Sequence, residues 1–148
     1  MRIHALPEAV VERARASAGV DEFHELRDEA VGAPLRCCLR RAGEGEAVVL
    51  FRYSPTAGTG PYAELGPVFV HAEPCGGLDR DDVFPEAFRH SPRVFRAYGP
   101  EGRIEGGRVV EVGSLDAELA RMLDDPAVVE VQVRSASHGC FLFAVTPG

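Results

Sequence analysis

Strand-like runs follow one another along most of this chain, with hairpins dominating the connections, and this pattern constrains the fold most. Two runs, 35–41 and 47–53, are joined across Gly43-Glu44-Gly45 and read as a hairpin. The second of them, Ala47-Val48-Val49-Leu50-Phe51, is apolar on both faces, which places it inside a sheet. Segment 67–71 is apolar in the same way. A second hairpin is expected from 93–98 and 103–111 around Gly99-Pro100-Glu101-Gly102. The last pair is 128–134 and 140–145, joined by Ser135-Ala136-Ser137-His138-Gly139. In its first strand Val129, Val131 and Val133 alternate with Glu130, Gln132 and Arg134.

Helical signals are confined to two regions. Pro7 and Glu8 suit a first turn ahead of Val10, Val11, Ala14 and Ala18. Asp21 then caps a second expected helix carrying Phe23, Leu26, Ala30 and Val31, ended by Gly32 and Pro34. Near the other end, Ser114 precedes Leu115, Leu119, Met122 and Leu123 on one face, and Pro126 stops the run. Hairpins dominate the connections, so the expected class is α+β: a single domain, 1–148, with a helical start over 7–31 and a sheet-rich remainder over 35–146. That amounts to a mostly antiparallel sheet of about six or seven strands with about three helices.

Composition narrows the function classes. The formal net charge is −7, and every basic residue is an arginine. A chain of that sign repels a phosphate backbone, which argues against nucleic acid as a partner. No apolar run approaches the roughly 20 residues that span a bilayer. The start, Met1 to Glu8, lacks the apolar core of a secretion signal, so no membrane association and a cytoplasmic location are expected. In that compartment Cys37, Cys38, Cys75 and Cys140 are expected as free thiols. On a strand, Cys37 and Cys38 would point to opposite faces.

Gly58-x-Gly60-x-x-Ala63 fails as a dinucleotide loop because Pro61 and Pro67 crowd the place where a helix must open. The lack of lysine excludes a Walker phosphate loop. His71-x-x-x-Cys75 and His138-x-Cys140 together offer four zinc donors, but their spacing matches no familiar finger, so no metal site and no cofactor are expected. Cys38 or Cys140 could also be a nucleophile beside a histidine; His138 is close to Cys140 in sequence, against which stands the core-like run Phe141-Leu142-Phe143 that follows.

Polar residues on core-like strands are the feature most suggestive of a site. Arg36, Arg96, Tyr98 and Arg134 interrupt apolar segments, and an arginine there must reach solvent or find a carboxylate. Converging at one end of a sheet, with Tyr53 and Tyr62 as walls, they would hold a small anion. The alternative is internal pairing with Glu46, Glu64 or Glu130, or an exposed sheet face.

Several stretches carry a family resemblance: Pro34-Leu35-Arg36-Cys37-Cys38-Leu39-Arg40, Tyr53-Ser54-Pro55, the long run from Pro61-Tyr62 through Gly66-Pro67-Val68-Phe69-Val70-His71 to Cys75, Phe88-Arg89-His90, Arg96 to Ile104, and His138-Gly139-Cys140-Phe141. Together they resemble the bacterial family known as domain of unknown function 1203, over roughly residues 34 to 146. The resemblance assigns no reaction. It implies attention to Arg36, Tyr62, His71, Arg96, Tyr98, His138 and Cys140, with Arg134 beside the last motif.

Two functional classes follow. One is a site for a small anionic molecule, its ligand-binding residues Arg36, Tyr62, Arg96, Tyr98 and Arg134, with His71, His138 and Cys140 as the candidates for any chemistry. The other is a non-catalytic interaction or homodimer module.

Overall fold

A computed structural model describes residues 1–56 and 60–148, so Gly58 of the rejected glycine motif lies outside the described residues. The described residues form an α+β structure with eight strands in two antiparallel sheets and two α-helices. The strands are β1 (Arg2–His4), β2 (His24–Arg27), β3 (Val48–Tyr53), β4 (Gly66–His71), β5 (Arg93–Tyr98), β6 (Ile104–Val110), β7 (Glu130–Ser135) and β8 (Phe141–Thr146). Helix α1 is Glu8–Ser17 and α2 is Leu115–Leu123. The larger sheet runs β1-β8-β7-β5-β6 and the smaller β2-β3-β4. Two sheets thus replace the single one expected, and two helices the three.

Both late hairpins form as their periodicity indicates, β5 with β6 and β7 with β8, and β5 also pairs with β7. Helix α2 buries Leu115, Leu119 and Met122 against this sheet beside Phe84, Phe88, Phe95 and Phe143. The opposite face of β7 is not solvated: Gln132 and Arg134 are buried as well. That second face looks toward a separate core, where Leu6, Val11 and Ala14 pack with Leu35, Phe51, Val68, Val70 and Phe141.

The early segment departs from expectation in three places. Residues 21–31 are not a helix but a turn leading into β2, which pairs antiparallel with β3. Phe23 and Leu26 are 41% and 50% exposed, so no core held a helical stripe, while the open edge of β3 offered backbone bonds instead. Asp21 still does capping chemistry, accepting from the Phe23 amide at 2.9 Å and pairing with His24 Nδ1 at 2.8 Å, but around a turn. Segment 35–41 forms no strand with β3. It is a tight turn closed by bridges from Pro34 to Arg41 and from Leu35 to Phe69, with the Leu39 amide donating to Leu35 O at 3.0 Å. Leu39 sits at φ 57°, an unusual place for a side-chain-bearing residue. Finally, Arg2–His4, unmarked by periodicity, adds to β8 as an edge strand.

No helix among the described residues is long and apolar enough to cross a membrane.

Candidate functional site

The 35–41 turn changes the chemistry of the two adjacent cysteines. Off a strand, Cys37 and Cys38 no longer point apart, and their sulfurs lie 3.9 Å from each other. The bridge from Leu35 to Phe69 lays this turn against β4, so both sulfurs meet the last residue of that strand, His71. Its Nδ1 is 3.8 Å from Cys37 Sγ and 3.7 Å from Cys38 Sγ. Cys75, just beyond β4, completes the group, and all four donor atoms lie within 4.8 Å of one another. Cys37, Cys38 and His71 are buried, and Cys75 is partly exposed.

The surroundings orient this cluster. His71 Nε2 meets Glu46 Oε2 at 2.6 Å, and the other Glu46 oxygen accepts the Gly43 amide at 2.6 Å. With the Nε2 proton given to Glu46, the Nδ1 lone pair is turned toward the thiols. The His71 amide donates to Cys37 Sγ at 3.2 Å. Arg15 from α1 bonds His71 O at 2.9 Å and stands 3.8 Å from Cys75 Sγ.

Charge follows the same geometry. A proton donated from Cys37 holds the Cys38 thiol down at about 5 against its burial, with Arg40 and His71 adding attraction. Cys37, which keeps that proton and is buried, is pushed up. Burial opposes a charge on Cys75, but the Gly77 amide and bonds to His71 and Cys37 outweigh it and lower the thiol. Burial also opposes a charge on His71, yet Cys75, Cys38 and Glu46 together raise the imidazole. Glu46 is lowered, first by the Gly43 amide and then by His71.

Elsewhere, the structure gathers some of the sequence candidates and separates others. Arg96 and Tyr98 share a face of β5, with Arg96 Nη1 3.4 Å from the Tyr98 hydroxyl. Arg96 sits opposite Gln132 on β7, and a register shift at Val133/Arg134 follows. Arg96 Nη1 and Arg134 Nη2 both reach Glu64 Oε1 at 2.6 Å, so this one oxygen serves two guanidiniums. Arg134 also bonds Gln132 Oε1 and Gly139 O, while its Nε is buried with no partner among the described residues. A cleft of about 180 Å³ beside it is lined by Tyr53, Glu64, His138 and Cys140 among others. His138 itself is exposed and bonds Ser137 at 2.8 Å. Tyr62 is 41% exposed and does not line that cleft.

Arg36 does not join them through a carboxylate. It is 2% exposed and donates to two carbonyls, Phe141 O at 2.8 Å and Pro34 O at 2.5 Å. Burial pushes its guanidinium down to about 10, which still leaves it charged at neutral pH. His71 lies in the cysteine cluster and not beside His138.

The sequence offered His71 and Cys75 with His138 and Cys140 as possible zinc donors and led to no metal site; the structure instead places His71 and Cys75 beside Cys37 and Cys38. The assumed strand at 35–41 hid this, because it set the two thiols on opposite faces. Glu46, considered only as a partner for arginine, is instead the carboxylate behind His71.

The fold and site together define an α+β protein with a largely buried cluster of three cysteines and one histidine. The chain belongs to the family described as "Protein of unknown function (DUF1203)", which matches residues 32–146. That span includes the four donors and Glu46 but not α1. No curated protein and no solved structure matches the chain.

Proposed function

We propose that this domain binds one divalent transition metal ion, with zinc the best match, through Cys37, Cys38, His71 and Cys75. The observation that carries the reading is the spacing of the donors. Tetrahedral zinc with bonds of about 2.3 Å to sulfur and about 2.0–2.1 Å to nitrogen sets its ligands roughly 3.5–3.8 Å apart. The separations of 3.7, 3.8 and 3.9 Å lie close to that range. Three soft thiolates and an imidazole select zinc over hard cations such as magnesium.

Four protein donors leave no coordination position for water or substrate, so the ion's role is structural and not hydrolytic. It would join three pieces of chain that share little regular hydrogen bonding: the 35–41 turn, the end of β4 and the segment leading to Cys75. The direct test is titration of reduced protein with zinc against a chromogenic competitor. Uptake of one zinc per chain, weakened in Cys38→Ser, supports the reading; no uptake by the native chain removes it. Glu46→Gln should bind zinc about 10–100-fold more weakly, because His71 loses the carboxylate that orients it. Unchanged affinity in the same titration would show that Glu46 is not part of the site.

A second reading, a small anionic ligand in the cleft lined by Glu64 and Arg134, is favoured by the Glu64 oxygen shared with Arg96 and by the unpartnered Arg134 Nε. Glu64 would then be an internal occupant of the site. If the vacated arrangement is populated about a tenth of the time, Glu64→Gln should bind inorganic phosphate or a small carboxylate roughly tenfold more tightly than the native chain. Calorimetry that finds no binding to either form would contradict this reading.

A further inference from the structure

A cavity of about 440 Å³ borders the metal-donor cluster. Two of the four donors line it, Cys37 and Cys75, together with Arg15; Cys38 and His71 do not. Its remaining walls include Ala5, Leu6, Val11 and Leu78, apolar side chains that would shelter a small neutral molecule. Cys75 is the donor with the most solvent exposure, and Arg15 Nη2 stands 3.8 Å from its sulfur. A guanidinium in that position can steady negative charge developing on a departing oxygen.

We propose that the cluster reacts with hydroperoxides through this cavity, joining Cys75 to Cys37 and expelling the metal. The release of metal rests on the metal-binding reading above; the disulfide does not. In the first step the Cys75 thiolate attacks the terminal peroxide oxygen. An S–O bond forms and the O–O bond breaks, giving Cys75 sulfenic acid and an alkoxide or hydroxide that takes a proton from solvent. In the second step the Cys37 sulfur attacks the Cys75 sulfur, the S–S bond forms, and the hydroxide that leaves takes the Cys37 proton and departs as water. The two sulfurs lose two electrons in all, and the peroxide gains them.

Cys37 is the resolving thiol on geometric grounds. It shares the cavity wall with Cys75, and the two sulfurs, within 4.8 Å, approach to about 2.05 Å when the bond forms. Cys38 is the immediate chain neighbour of Cys37, and a disulfide between adjacent residues distorts the peptide between them. Oxidation leaves Cys38 and His71 as the remaining donors, too few to hold the ion.

The test uses the full chain carrying Cys140→Ser, which removes the thiol outside the cluster. Zinc-loaded protein is treated with equimolar hydrogen peroxide, zinc is followed with a chromogenic chelator, and disulfides are mapped by mass spectrometry. The proposal expects one zinc released for each pair of thiols lost, with Cys37 linked to Cys75. Arg15→Met should slow that release roughly fivefold, the scale of losing one partly exposed charge contact. Zinc retained after peroxide, or a link between Cys37 and Cys38 in its place, overturns the proposal. If the chain takes up no zinc at the outset, the metal reading has failed. The same peroxide treatment of reduced metal-free protein then decides the disulfide, which must still join Cys37 to Cys75.

Discussion

Stripping zinc-loaded protein with a strong chelator should lower its melting temperature by on the order of 10–15 °C. A ligand present at about a thousand times its dissociation constant stabilises the folded state by about 4 kcal/mol. For a chain of this length each kcal/mol shifts the midpoint by roughly 3–4 °C. The ion acts on a strained piece of chain: the 35–41 turn contains a leucine at φ 57°, a conformation that costs roughly 1–2 kcal/mol, and meets β4 through the Leu35–Phe69 bridge and the His71 amide on Cys37 Sγ. Binding energy at a structural metal site becomes folding energy when the unfolded chain cannot form the site. Differential scanning calorimetry of the loaded and stripped protein measures the difference. Identical curves would mean that the cluster holds no stabilising ion.

The second large effect concerns Arg36, where substitution with methionine should destabilise the fold by about 2–4 kcal/mol. The side chain is buried, and it bonds Phe141 O in a buried contact and Pro34 O in a partly buried one. Each buried acceptor left without a donor costs about 1–3 kcal/mol, partly offset here by removing a buried charge. Arg36 therefore ties the 35–41 turn to β8, and it does so from the residue next to Cys37. Urea unfolding should show a lower midpoint with an unchanged slope. A variant as stable as the native chain would contradict this structural role for Arg36.

What the sequence reveals, and what it hides, divides along local and non-local lines. Segments 93–98 with 103–111, and 128–134 with 140–145, carry alternation and turn residues within a few positions of each other, and both hairpins form. Helix α2 was legible for the same reason: its apolar face recurs at helical spacing between clear start and stop residues. Phe23, Leu26, Ala30 and Val31 also recur at helical spacing, but a helix there would have had no core to cover, and pairing with β3 won. That outcome depends on a strand more than 20 residues away in sequence.

The candidate sites show the same division. Arg96 and Arg134 meet on Glu64 because β5 and β7 pair, a long-range pairing that the hairpin signals leave open, although Glu64 was among the carboxylates named as an internal partner. Half of the donor cluster was visible as His71-x-x-x-Cys75. The other half was not, because Leu35-Arg36-Cys37-Cys38-Leu39 has the residue types of a strand. Nothing in those types signals the positive φ of Leu39 that turns both thiols inward. A pair of adjacent cysteines read with its long-range partners open, and not with an assumed strand, would have kept the site in view.

X-ray absorption at the zinc edge tests the central claim most directly. Protein loaded with one equivalent of zinc should show a first shell of three sulfurs at about 2.3 Å and one nitrogen at about 2.0–2.1 Å, and Cys38→Ser should remove a sulfur from that shell. A shell of nitrogen and oxygen alone, unchanged by Cys38→Ser, would place the ion elsewhere and contradict the account.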